Sequence, residues 1–140
     1  MTKNFKIIGS FIKDMSSETA DPKTYIFVRD KISKYLLNIN INSKQVKEGI
    51  IEVNTIITFS DQPEVLKKAY FEIIYTTIVE LDQKISDKKE MEKIILCDVP
   101  NEIYPNLERI FINLLTDSGY PGIKFEKKVD FDELYKQRVN

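Results

Sequence analysis

Four stretches of the chain alternate apolar and polar side chains with a period of two, the mark of strands with one buried face. Phe5, Ile7, Gly9 and Phe11 take one parity and Lys6, Ser10 and Asp14 the other, with Ile8 and Ile12 blurring the pattern over residues 5–14. Tyr35, Leu37, Ile39 and Ile41 alternate with Leu36, Asn38 and Asn40, and Ile51, Val53, Thr55, Ile57 and Phe59 with Glu52, Asn54, Ile56 and Thr58. From Ala69 to Leu81 a fourth strand sets Phe71, Ile73, Tyr75, Thr77 and Val79 against Tyr70, Glu72, Ile74, Thr76, Ile78 and Glu80. Strands of about ten residues reach roughly 33 Å, and short connections favour an antiparallel, meander-like order. Asp21-Pro22 reads as a loop, residues 20–34 have no clean period, residues 42–49 are polar and turn-like, and Ser60 to Pro63 supplies a turn.

The C-terminal half changes period. Ile103, Tyr104, Leu107, Ile110, Phe111, Leu114 and Leu115 form one broad helical stripe, with Gly119 at the left-handed exit and Pro121 beyond it. Pro105 places the start of that helix near Tyr104, after a proline-led turn. A shorter, more polar helix is expected over residues 84–96. A last helix over 130–139 has Asp130 as cap and Glu133 in capping-box position, with Phe131, Leu134, Tyr135 and Val139 on its apolar side. The fold class is therefore α+β: one domain over residues 1–140, a four-stranded antiparallel sheet packed with helices near 84–96, 104–118 and 130–139. The fourth strand is apolar on both faces, so its second face needs a cover: a helix, another subunit or a bound chain.

Composition narrows the chemistry. Hydrophobic content of 42% and charged content of 31% are those of a soluble globular domain, and a net charge of −1 gives no general attraction to nucleic acid or anionic membranes. Lys88-Lys89 and Lys127-Lys128 are solvated surface on this reading. A single cysteine, Cys97, suits a reducing cytoplasm and reads as a buried thiol at a helix end. The N-terminus lacks the apolar run of a signal peptide, and no stretch is long enough for an integral membrane segment. With no histidine, Ser-His and Cys-His systems are excluded, as are most zinc sites. Gly9, Gly49, Gly119 and Gly122 form no nucleotide fingerprint. Asp98, Glu102 and Glu108 near one helix start could serve as an acid/base group of a small α+β enzyme, but acids there ordinarily serve the helix dipole. No catalytic residue, metal or cofactor is expected.

Four segments occur in order: Lys13-Asp14-Met15-Ser16-Ser17-Glu18; Val99-Pro100-Asn101-Glu102-Ile103-Tyr104-Pro105 with Arg109 beyond it; Gly119-Tyr120-Pro121-Gly122; and Val129-Asp130-Phe131-Asp132-Glu133-Leu134-Tyr135. Together they resemble the SecB protein-export chaperones over nearly the whole chain. The resemblance implies an ATP-independent holdase that binds unfolded preproteins in the cytoplasm and delivers them to the SecA motor ATPase. It also implies a homotetramer, a dimer of dimers, with helices packed between dimers covering one sheet face. By the same resemblance, Asp14, Glu18, Tyr70 and Glu72 form an acidic SecA-docking patch, and Tyr35, Leu37, Ile39, Tyr135 and Val139 line the client groove. An aromatic family position is Lys31 here, a frequent cysteine is Val99, and the chain is less acidic than its relatives. The sequence ends at Asn140 without the tail many relatives use, so docking is expected to rest on the sheet surface. A SecB-like chaperone for another client, such as an unstable antitoxin, is the alternative.

Overall fold

The computed structural model describes residues 4–61, 68–83, 85, 87–125 and 129–139, with side chains up to residue 137. Four strands, β1 (Phe5–Glu18), β2 (Leu36–Lys47), β3 (Ile50–Ser60) and β4 (Tyr70–Leu81), form one antiparallel sheet in the order β1-β4-β3-β2. Strands β2, β3 and β4 are the expected meander. The first strand joins beside the last, so the β1–β2 connection crosses from one edge of the sheet to the other.

That connection holds α1 (Pro22–Arg29) and a 3-10 turn at Ile32–Lys34, where the sequence shows no period. The Asp21-Pro22 pair begins this helix instead of marking a loop. The Asp21 carboxylate accepts the Thr24 N–H at 2.8 Å, and Pro22 sits where no backbone donor is needed. The expected turn over 42–49 shrinks to Glu48-Gly49, with Gly49 at φ +76°. Pairing with β3 along one backbone edge holds residues 42–47 extended while every side chain there faces water, so no apolar alternation is required. The turn expected at Ser60–Pro63 runs into residues outside the described set.

The blurred pattern in β1 has a physical cause. Its register against β4 shifts between Ile7 and Gly9 and again between Ile12 and Asp14. Each extra residue, Ile8 and then Lys13, flips the parity of the residues after it, as β-bulges do. Phe5, Ile7, Ser10, Ile12, Met15 and Ser17 thus share a sheet face although their numbers change parity twice.

The helices expected at 84–96 and 104–118 form one run. After Asp87 as cap come α2 (Lys88–Lys93), a π-helical turn at Ile94–Asp98, and α3 (Val99–Asp117). Positions 84 and 86 of the first expectation lie outside the described residues. Pro100 takes the early helical position, and Pro105 lies inside α3 instead of starting it. Pro105 and Asn101, the residue whose carbonyl loses its partner, are both solvent-exposed, so water can satisfy the orphaned oxygen. The exit follows expectation: Gly119 has φ +103°, its N–H reaches Thr116 O at 3.1 Å, and the Tyr120 N–H reaches Leu115 O at 2.9 Å. Finally α4 (Phe131–Val139) starts with the Glu133 N–H donating to the Asp130 carboxylate at 3.1 Å.

The helices pack on the odd-numbered side chains of β3 and β4. Val53, Ile57, Phe59, Phe71, Ile73 and Val79 are buried there with Leu107, Phe111 and Leu115. Phe59 is the hub, its ring 5.4 to 6.3 Å from those of Tyr35, Phe71, Phe111 and Phe125. Such ring contacts add about 0.5–1.5 kcal/mol each beyond burial.

Candidate functional site

The even-numbered face of the sheet is where the expected docking residues meet. Antiparallel pairing sets Asp14 opposite Ile74, Ser16 opposite Glu72 and Glu18 opposite Tyr70. Directly opposed residues share a face, so Asp14, Glu18, Tyr70 and Glu72 stand together at one end of β1 and β4. Asp14 and Glu18 are exposed, Tyr70 and Glu72 half-buried. The Tyr70 hydroxyl donates to Glu72 Oε2 at 2.6 Å. That bond to a carboxylate, with burial and the charges of Glu72 and Glu18 behind it, pushes the phenol up to about 12. Tyr70 is therefore a fixed donor inside an anionic cluster.

Next to this cluster the same face carries a hydrogen-bonded strip. Asn54 donates to Asn42 Oδ1 and to Glu52 Oε2, each at 2.9 Å, and accepts from Thr76 at 2.6 Å. Glu52 is held below the usual carboxylate range by the Asn54 amide, helped by Lys13, whose Nζ lies 3.6 Å away. Half-buried Ile56, Ile74 and Ile78 fill the remainder. The anticipated second apolar face is present.

The residues expected to line a groove separate into groups. Tyr35 is buried, its ring against Phe59 and its hydroxyl accepting the Ala69 N–H at 2.9 Å; burial raises its phenol. Leu37 and Ile39 are half-buried on β2, on the helix side of the sheet. Tyr135 is half-buried on α4, its hydroxyl 3.5 Å from the Lys89 carbonyl. Val139 has its backbone in α4 and its side chain outside the described residues. Both β2 and α4 approach the π-helical turn, where Ile95 and Leu96 are half-buried, but Leu37 stands opposite Phe59 near the other end of the sheet, so the structure does not bring Leu37 and Tyr135 together.

The π turn anchors α4. The Cys97 thiol donates to the Asp132 carboxylate, Asn101 Nδ2 lies 3.5 Å from the sulfur, and buried Phe131 meets Tyr104 edge-on at 5.4 Å. Burial first, then the Asp132 bond, pushes Cys97 up to about 12, so the thiol stays protonated and unreactive. Burial also raises Asp98, while Glu102 is exposed. Among the described residues no group of acids, cysteines or histidines could hold a metal ion, and no helix is long and apolar enough to cross a membrane.

Sequence reading missed how much of β1 is uncovered. Ile8, Phe11, Ile12 and Met15 are all exposed, on both faces of an edge strand. The broken alternation at Ile8 and Ile12 was the available signal.

Comparison with known proteins agrees with this architecture. A protein of Pelagibacter ubique (strain HTCC1062), provisionally named as protein-export protein SecB, is 81% identical over 140 residues, the whole of both chains. The protein-export protein SecB of Methylocella silvestris is 25% identical over 93% of this chain and 79% of its own, and that of Cupriavidus taiwanensis 24% over 96% and 76%. The structure of the Mycobacterium tuberculosis Rv1957 SecB-like chaperone, solved with a ChAD peptide from the Rv1956 HigA1 antitoxin, superposes with a TM-score of 0.67. It covers 90% of this chain and 91% of its own at 10% identity, a likeness of fold alone. The family model of the preprotein translocase subunit SecB matches residues 1–140, so the chain belongs to the SecB family of protein-export chaperones, which are not enzymes.

Proposed function

We propose that this chain is a nucleotide-independent holdase of the cytoplasm that keeps preproteins unfolded and passes them to a SecA-type ATPase. One domain over residues 1–140 assembles as a homotetramer, a dimer of dimers. The carrying observation is apolar surface that a lone subunit leaves in water: Phe11 is 50% exposed, Ile26 58%, Leu36 61% and Leu134 43%. Subunit pairing covers part of it, and β1, an edge strand exposing Ile8, Phe11, Ile12 and Met15, is the segment most in need of cover. What remains open serves clients. Leu37, Ile39, Tyr135 and Val139 line the groove, and Tyr35 supports it from beneath through Phe59.

Holding follows from elementary terms. Burial of a client's apolar area contributes ~25 cal/mol per Å², and ordering a flexible chain offsets much of it at any one site. Several grooves on one tetramer raise the effective concentration, giving tight but sequence-tolerant binding. The unpaired backbone of β2 adds strand-like hydrogen bonds that ignore side-chain identity. Asp14, Glu18, Tyr70 and Glu72 offer a basic partner an anionic surface on the sheet face away from the helices, so docking and holding use different sides of one sheet.

Two measurements test this. The purified protein suppresses aggregation of a denatured preprotein without nucleotide, and binds SecA with an affinity that falls about tenfold or more in Asp14→Lys and Glu72→Lys. Unchanged affinity in both variants, with the oligomer intact, refutes the docking patch. The near-neutral charge of −1 favours one other reading, a chaperone for a client such as an antitoxin. Client holding with no SecA binding would select it.

A further inference from the structure

The acidic end of the sheet is tied down from its opposite face. Pairing of β1 with β4 ends at Glu18, opposite Tyr70. Only Thr19 and Ala20 then separate the strand from Asp21, the cap of α1. Within this chain β1 is an edge strand with a neighbour on one side, so its last residues fray unless something beyond the ladder holds them. Beside the Glu18–Tyr70 pair lies an open hollow of about 480 Å³, lined also by Ser17, Ala20 and Lys68, so packing on that side does not fix the Glu18 carboxylate.

The anchor lies underneath. The hydroxyls of half-buried Thr19 and buried Tyr120 share a hydrogen bond of 2.8 Å across 101 positions of sequence, so it ties the first strand to the exit of α3 and is no local turn contact. Tyr120 is locked in turn: its ring meets Phe71 edge-on at 5.5 Å and Tyr25 at 5.2 Å, and the Tyr25 hydroxyl donates to Gly119 O at 2.7 Å. Successive residues of an extended chain point to opposite faces. Glu18 and Tyr70 therefore stand on the bare face directly before Thr19 and Phe71, which both reach the same buried ring. One phenol sits beneath both halves of the pair. Resting on the docking reading, we infer that Thr19 and Tyr120 are positioning residues of the docking patch, their hydroxyl bond pinning the end of β1 and holding the Glu18 carboxylate beside Tyr70 and Glu72. A carboxylate fixed before contact spares the complex the ordering cost of a frayed strand end.

The test uses the full chain, with SecA binding and suppression of aggregation of a denatured preprotein measured side by side. Thr19→Val keeps the branched shape and removes the hydroxyl. It is expected to weaken SecA binding about fivefold with client holding unchanged, and Thr19→Ser, which restores the hydroxyl, to recover wild-type binding. Tyr120→Phe removes the other half of the bond, keeps both ring contacts and gives the same loss; it serves if Thr19→Val misfolds. The deciding readout is a double-mutant cycle. Glu18→Gln alone is expected to weaken binding about fivefold, and Thr19→Val/Glu18→Gln by no more than either single variant, against about 25-fold for independent residues. The effects of Thr19→Val and of Asp14→Asn, farther along β1, should multiply in full. Unchanged affinity in Thr19→Val and Tyr120→Phe overturns the inference, as does a fully multiplicative cycle with Glu18 or a parallel loss of client holding. If Glu18→Gln, Asp14→Lys and Glu72→Lys all leave the affinity unmoved, the docking patch falls and this inference with it; if they weaken binding and Thr19→Val does not, only the positioning role falls.

Discussion

The two faces of the sheet are built from the same strands and obey different rules. On the helix side, Val53, Phe71, Ile73 and Val79 are completely buried, and volume and ring geometry decide what is allowed. On the other side, Asn54 and Thr76 are buried only within a hydrogen-bonded strip, the isoleucines are half-covered, and Asp14 and Glu18 face water. The helix side holds the chain folded; the bare side is free to carry recognition. Substitutions should therefore separate stability from binding according to the face they touch.

The sharpest break in that division would come from Phe71, which packs on both Phe59 and Tyr120. Phe71→Ala is expected to cost about 3–5 kcal/mol, read as a fall in the urea midpoint. Gly119→Ala comes next, because φ is +103° and the new methyl carbon would lie 2.9 Å from the Tyr25 ring. A loss on the order of 1–3 kcal/mol is expected from strain alone, with Tyr25 displaced from its bond to the Gly119 carbonyl. A pH titration sharpens the picture at Cys97. Its folded pKa of about 12 lies above the ordinary value near 9, so folding favours the protonated thiol. That contribution is whole below pH 9 and is lost as pH rises from there toward 12. Denaturation curves at rising pH should flatten in Cys97→Ala relative to wild type, and thiol reagents should label Cys97 only on unfolding. The smallest stability effect belongs to the bare face: Glu72→Gln should change stability by about 0.5 kcal/mol or less. It should nevertheless lower the Tyr70 pKa, seen in the ultraviolet absorbance of tyrosinate, because the Glu72 bond is the largest cause of its rise.

Legibility followed the same division. Wherever alternation reported burial against the helices, as in β3 and β4, the strands were readable almost to the residue, and so was the stripe from Ile103 to Leu115. Residues 42–47 were not, because strand pairing there buries nothing. The α1 region was not, because an eight-residue helix burying only Thr24 and Val28 leaves little periodic trace. Pro105 misled because it is tolerated inside α3, where the carbonyl it leaves unpaired, that of Asn101, belongs to an exposed residue that water can reach. The docking residues were placed by resemblance, yet their meeting on one face depends on the β1–β4 register, which includes a parity change at Lys13 that no alternation rule supplies. Tyr35 shows the opposite limit: alternation put it on the second strand, but it ends the 3-10 turn one residue before β2, and its depth beneath Phe59 is not something a parity rule reports.

The sheet order has a consequence for how the molecule comes into being. Residues 5–18 are synthesised first, but their neighbour is residues 70–81, so the opening segment waits unpaired while the rest is translated. At roughly 5–20 residues per second that delay lasts seconds. A protein whose proposed task is to shelter unfinished chains thus begins life as one, with the backbone of residues 5–18 unpaired until its own fourth strand arrives.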